Sequence, residues 1–272
     1  MQEQVVRDML RWTADADSNQ SPPVLGQQLH RRLGEVSGVE DPYRAEKDLQ
    51  NQLVMGLLPE LRARLEAAGD PFGLAVKLAI AGNIIDLGIN GGVAEDDLHL
   101  SIDQALSEPV HGLVDDLRRD IATATDILYL ADNCGEIVFD RLLIEQLPTE
   151  RVTVAVRGKP ILNDATMVDA RTVGLTDMVE VIDNGSDAPG TILEDCSPAF
   201  RERFAAADLI IAKGQGNFES LSDVDAPIYF LFKVKCSVVA EHVGELEGTH
   251  MVARSSTWPA AASPSKPASG TE

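Results

Sequence analysis

The sequence predicts a three-layer α/β sandwich with a mainly parallel sheet, preceded by an α-helical subdomain. Three observations carry that assignment. Through about the first 120 residues the apolar positions recur at helical spacing, as in Leu53, Leu57, Leu58, Leu61 and Leu65. From Asp126 onward, short β-rich runs alternate with amphipathic stretches. Alternation of that kind fits right-handed crossovers between parallel strands covered on both faces.

In the first third, Pro22-Pro23, Gly34, Asp41-Pro42, Gly69-Asp70-Pro71 and the glycines from 88 to 92 divide the chain into five or six helices. After Asp70-Pro71 the run FGLAVKLAIAGNIIDLG is almost wholly apolar, which implies a helix buried on most faces. Asn83 and Asp86 stand out against it. Five strands are predicted at 126–132, 151–157, 179–183, 208–213 and 227–232, with helices at 136–147, 164–173, 193–207 and a shorter one at 217–221. This divides the chain into a helical subdomain over 1–122 and an α/β core over 123–252. A Pro-, Ser- and Ala-rich tail over 253–272 is expected to be disordered.

Composition narrows the function. The formal charge is -21, from 44 acidic against 23 basic residues, and that field repels a nucleic-acid backbone or an anionic leaflet. Nucleic-acid and membrane roles are therefore not expected. No run approaches the roughly 18 apolar residues of a membrane span, and the start MQEQVVRDML does not read as a secretory signal. A cytoplasmic protein is expected. Cys134, Cys196 and Cys236 form no C-x-x-C pair, so neither a disulfide framework nor a structural zinc site is indicated.

The chemistry gathers at the strand ends. The first strand ends in Asp132-Asn133, two oxygen donors suited to a hard divalent ion, at the edge where open parallel sheets bind ligands. Asp164 either completes such a set or caps the helix that follows. Glu136 complements a helix start. Arg157, Lys159 and Lys213 supply positive charge at strand ends, with Lys233 and Lys235 beyond the fifth strand. In AKGQGNFESL, two glycines after Lys213 would let backbone N–H groups approach an anion, or would simply make a turn. Oxygen ligands beside a cationic, glycine-rich loop suit phosphoryl chemistry. There is no G-x-S-x-G, no H-E-x-x-H, and the five histidines lie far from these motifs in sequence.

Taken in order, DPYRAEKDLQNQ (41–52), GNIIDLG (82–88), ADNCGEIVFD (131–140), VRGKPILNDAT (156–166), APGT (188–191), AKGQGNFESL (212–221) and LFKVKC (231–236) resemble the metal-dependent damage-control phosphatase family, long catalogued as domain of unknown function 89. The resemblance spans about residues 35–250. It implies a Rossmann-like sheet with an N-terminal helical part, and a divalent metal (manganese, cobalt, nickel or magnesium) held by Asp132, Asn133 and Asp164. It also implies that Lys213 contacts the substrate phosphate and that the substrates are sugar phosphates or damaged phosphometabolites. Asn83 and Asp86 match the family's GNxxD motif, whereas the C-x-x-C pair many prokaryotic members carry on their first helix is absent.

The reading is a metal-dependent phosphomonoester hydrolase with Asp132, Asn133, Asp164 and Lys213 as catalytic residues. Lys213, Gly214, Asn217, Arg157, Asn83 and Asp86 would contact the substrate, and either Asp132 or a water activated by the metal would attack phosphorus. The alternatives are S-adenosylmethionine-dependent carboxyl methyl transfer, ascribed to one branch of the family, and a non-catalytic phosphometabolite-binding protein. Against methyl transfer, the turn DNCGE lacks the glycine-rich pattern expected for that cofactor.

Overall fold

A computed structural model describes residues 2–17, 19–82 and 95–255. Its strands are β1 (Val110–Gly112), β2 (Ile127–Leu130), β3 (Val152–Val156), β4 (Glu180–Asp183), β5 (Leu209–Lys213), β6 (Ile228–Lys233) and β7 (His250–Arg254). They form one sheet in the order β1-β7-β6-β5-β2-β3-β4, parallel throughout except where β7 runs antiparallel to β6. All five predicted strands are present. The sheet also takes β1 from the segment assigned to the helical subdomain, and β7 runs two residues past the predicted start of the tail. Neither has a pattern that reads as a strand: β1 is an edge strand of three residues, and in β7, paired between β1 and β6, Ala253 looks like tail composition although it is buried against β6.

Both faces of the sheet are covered because successive side chains of each central strand enter different cores. In β2, Ile127 and Tyr129 join one core while Leu128 and Leu130 join the other; in β5, Leu209 and Ile211 part from Ile210 and Ala212 in the same way. The first core is closed by α3 (Arg44–Ala67), α4 (Pro71–Ala81), α6 (Val114–Thr123) and α7 (Glu136–Ile144), the second by α9 (Pro198–Ala206), α10 (Gly214–Leu221) and α11 (Ser237–Val243). The remaining described helices are α1 (Gln2–Asp15), α2 (Pro22–Ser37), α5 (Glu95–Ser107) and α8 (Met167–Thr172). As its apolar sequence requires, α4 is buried along most of its length, and Asp70 caps it by accepting from Gly73 N–H at 3.1 Å. No described helix is long and apolar enough to cross a membrane.

From β2 the chain steps through β3 to β4 on one side, then returns to place β5 on the other side of β2. The connection therefore reverses between β2 and β5, and the crevice outside their carboxyl ends is where such sheets bind ligands. There, α3 grips the turn after β2. Asn51 accepts from Gly135 N–H at 2.8 Å and donates to Asp169 at 3.0 Å, with no exposure of its own. Asn51→Ala strands the Gly135 N–H in the interior, at about 1–3 kcal/mol, and removes one of the donors to Asp169, which keeps Arg44 and Thr166. The expected result is a melting temperature lowered by about 5–10 °C in calorimetry.

Candidate active site

Backbone pairing, more than side-chain contact, brings the two halves of the site together. Asn133 and Asp164 form an isolated antiparallel bridge, Cys134 N–H donates to Asn163 O at 2.8 Å, and Ala165 N–H donates to Asp132 O at 2.7 Å. The loop leaving β3 has to double back to make these bonds, and Leu162, at φ 43°, is the one non-glycine residue in the left-handed region among the described residues. The cap of α8 is Thr166, whose N–H and hydroxyl both donate to Asp169. Asp164 is thereby free of the capping role that the sequence left open.

Two buried cations organise the carboxylates. Arg157 Nε donates to Asp164 at 2.6 Å and Nη2 to Asp132 at 3.4 Å. Lys213 Nζ donates to Glu136 at 2.7 Å, to Asp140 at 2.5 Å and to Ala79 O at 2.7 Å. The Asn133 amide links the two groups by donating to Asp132 at 2.8 Å and Glu136 at 3.0 Å, and Tyr129 OH donates to Asp140 at 2.8 Å. Burial, followed by the charges of Glu136 and Asp164, pushes Asp132 well above the usual carboxylate range. Burial also raises Asp164 against the pull of Arg157, and lifts Asp140 to about 6 against the pull of Lys213. Although burial opposes the charge on Lys213, Asp140 and Glu136 outweigh it and hold the ammonium above its ordinary value.

The donor chemistry fits a hard divalent ion. Asp132, Asn133 and Asp164 offer two carboxylates and an amide oxygen on adjoining backbone segments, each nearly buried. Among the described residues no cluster of three His, Cys, Asp or Glu side chains is spaced to hold a metal, so a set built here would have to draw on Asn133. Fully ionised, the linked network carries four carboxylates against two cations. That leaves it short by the charge of one divalent ion, consistent with carboxylates that burial and mutual repulsion drive toward protonation.

Several residues expected to meet substrate are instead engaged by the protein. The ammonium of Lys213 has three donors and all three are taken. Asn217 is fully buried, accepts from Thr191 OH at 2.8 Å and donates to Lys213 O at 2.7 Å, fastening α10 to the strand before it. Arg157 lies between Asp132 and Asp164, with Nη1 within 3.4 Å of both Thr191 and Asn217. Gly216 is closely packed, and so is Gly214, where α10 begins. A Cβ there would stand 1.8 Å from Asp132 Oδ2, and one on Gly216 2.5 Å from Pro189 O. These glycines permit close packing around the carboxylate and against the 188–190 loop. That loop is clamped in turn from α2, where Arg31 and Gln27 bind Asp187 and Asp195. Asn83 and Asp86 lie outside the described residues.

Glu136 proves more central than a helix start, and Asp140 was not singled out at all. The signal for it was present, since Glu136 and Asp140 stand four apart in the otherwise apolar EIVFDRLL and so share one helix face. Lys235 is exposed, and its charge favours ionised Asp132.

Lys213→Met would leave Glu136 and Asp140 buried without a cation, at about 3–5 kcal/mol near neutral pH. Because Asp140, already lifted to about 6 by burial, would lose the cation that pulls it down, the folded state gains a proton on acidification. Denaturant unfolding is expected to show the gap to wild type narrowing from pH 7.5 to pH 5; a gap constant across that range would contradict the pairing.

Comparison with known proteins assigns the family. The damage-control phosphatase ARMT1-like domain matches residues 1–251. A protein of Archaeoglobus fulgidus named damage-control phosphatase is 37% identical over 237 residues, covering 84% of this chain and 82% of its own. Another of that name, from Pyrococcus horikoshii, is 36% identical over 234 residues, covering 84% and 79%. The crystal structure of a DUF89 family protein from Pyrococcus horikoshii superposes with a TM-score of 0.85 at 32% identity, over 93% of this chain and 89% of that one. With helical part and sheet both included in these matches, the chain belongs to the damage-control phosphatase ARMT1-like family, DUF89.

Proposed function

We propose that this chain is a metal-dependent phosphomonoester hydrolase acting on small phosphorylated metabolites. The observation that carries the reading is the convergence of Asp132, Asn133 and Asp164 at the point where the sheet reverses, in a network short of two positive charges. The names of the two curated relatives support the phosphatase class. A divalent ion held by these three residues supplies Lewis-acid polarisation of the phosphoryl group and activation of water.

The protein's own groups prepare the rest. Arg157 orients both carboxylates and opposes their protonation, while Lys213 orients Glu136 and Asp140 and opposes protonation of Asp140. Gly214 lets Asp132 approach the end of β5, where a side chain would displace it. The exposed Lys235, whose charge already acts on Asp132, offers an approaching phosphate a cation with a free ammonium. Direct contact between Lys213 and the phosphate, as the family resemblance implies, requires one Nζ–H to exchange Ala79, Glu136 or Asp140 for a phosphoryl oxygen.

The test is a chelator-treated preparation assayed on p-nitrophenyl phosphate and sugar phosphates with magnesium, manganese, cobalt or nickel restored singly. Hydrolysis should depend on the metal and fall at least about 100-fold in Asp132→Asn and Asp164→Asn, the loss of several kcal/mol of transition-state stabilisation. The rise in melting temperature on adding metal should vanish in the same variants. Full activity in both variants would remove them from the site.

A further inference from the structure

The face of α3 that meets the turn after β2 carries polar groups left unsatisfied by the fold. Lys47 and Gln50 are 0% and 1% exposed, yet Lys47 Nζ and both Gln50 amide atoms have no hydrogen-bond partner among the described residues. The carboxylate paired with Lys47 is Asp41, at 3.5 Å. Their helix neighbours contrast with them: Arg44 binds Asp169 at 2.5 Å, and Asn51 joins Asp169 to Gly135. A buried ammonium whose one ion pair is too long to satisfy its donors is costly to maintain unless something else supplies acceptors.

The two side chains stand beside the candidate site. Gln50 Cβ lies 3.4 Å from the position a Cβ on Gly135 would occupy, at the turn that carries Asp132 and Asn133. Lys47 lies one helical turn ahead of Asn51, which accepts from the Gly135 N–H of that same turn. Beside Asp41, a cavity of about 490 Å³ is lined by Tyr43, Lys159, Ile161 and Leu162, the last two just ahead of Asn163 and Asp164 in the chain. Together Lys47 and Gln50 offer an ammonium and an amide, a pair matched to an oxyanion.

We propose that Lys47 and Gln50 form a subsite for a second oxyanion, a carboxylate or a second phosphate, carried by the substrate away from the phosphate that is cleaved. The inference rests on the phosphatase reading and adds a substrate class to it: doubly anionic phosphometabolites in preference to phosphate esters of neutral alcohols.

Steady-state kinetics on the metal-loaded protein with 3-phosphoglycerate, fructose 1,6-bisphosphate and glycerol 3-phosphate test it. Wild type should favour at least one doubly anionic substrate over glycerol 3-phosphate by tenfold or more in kcat/KM. That ratio should fall at least tenfold in Lys47→Met, through KM, and by a smaller factor in Gln50→Leu. Preference for 3-phosphoglycerate alone assigns a carboxylate, and preference for the bisphosphate alone assigns a phosphate. Should Lys47→Met not fold, Lys47→Arg is expected to keep the preference and Gln50→Glu to abolish it. Absence of any preference in wild type, or a preference that survives the charge change, overturns the subsite. If no phosphomonoester is hydrolysed at all, the phosphatase reading fails and calorimetry decides the subsite alone: 3-phosphoglycerate must bind at least tenfold more tightly than glycerol 3-phosphate in wild type and lose that advantage in the variant, and equal affinities refute it.

Discussion

The ion pairs of Lys213 with Glu136 and Asp140 join the end of β5 to α7 through the interior, and the geometry of the carboxyl edge depends on them. Strand and helix belong to different crossover units, so nothing local fixes their distance. A fully buried ammonium fixes it, because withdrawing the cation leaves two carboxylates in a medium that will not solvate them. Glu136 then carries the constraint to Asn133, whose amide spans Glu136 and Asp132. Arg157 closes the arrangement from β3 by holding Asp132 and Asp164 together.

Backbone economy makes room for so many charged groups. Gly214 adopts φ 77° and leaves the space that Asp132 occupies, and Gly190 and Gly216 bring the 188–190 loop against α10 at distances no Cβ permits. Thr191 thereby reaches Asn217, and Arg157 finds neutral acceptors beside its charged ones. Glycines that resemble a phosphate loop in sequence thus serve close packing of the protein on itself.

Much of the fold was legible because parallel strands buried on both faces are near-continuous apolar runs, as in β2, β5 and β6, while β3 and the edge strand β4 show β-rich runs of Val and Ile. The strands β1 and β7 were not, since their pairing depends on partners distant in sequence. At the site, the strand-end rule reached Asp132, Asn133 and Lys213, and the family motif order added Asp164. What sequence could not give was the partner of each charge. Lys213, Arg157 and Asn217 read as ligands for substrate because loops and strand ends are ordinarily exposed, whereas here all three are buried and paired internally. Conversely, Lys47 and Gln50 lay inside a recognised motif, but only the fold distinguishes them from Arg44 and Asn51, whose partners are found within the protein.

For Asp132 and Asp164 the raised proton affinity has a defined thermodynamic sign. A carboxyl whose folded-state pKa exceeds its unfolded value contributes stability that is present below the unfolded value and is lost as pH rises through the folded one. Alone, these groups therefore make the folded protein less stable toward neutral pH. A proton and a divalent cation are competing ways of supplying the missing positive charge, and the cation gains as the pH rises because ionised oxygens are its ligands. In a chain of net charge -21 the surrounding field also favours cations over anionic substrates. An anionic ligand can enter only where local positive charge exceeds that background, and among carboxylates this dense that condition would require the charge of a cation and of the lysines together.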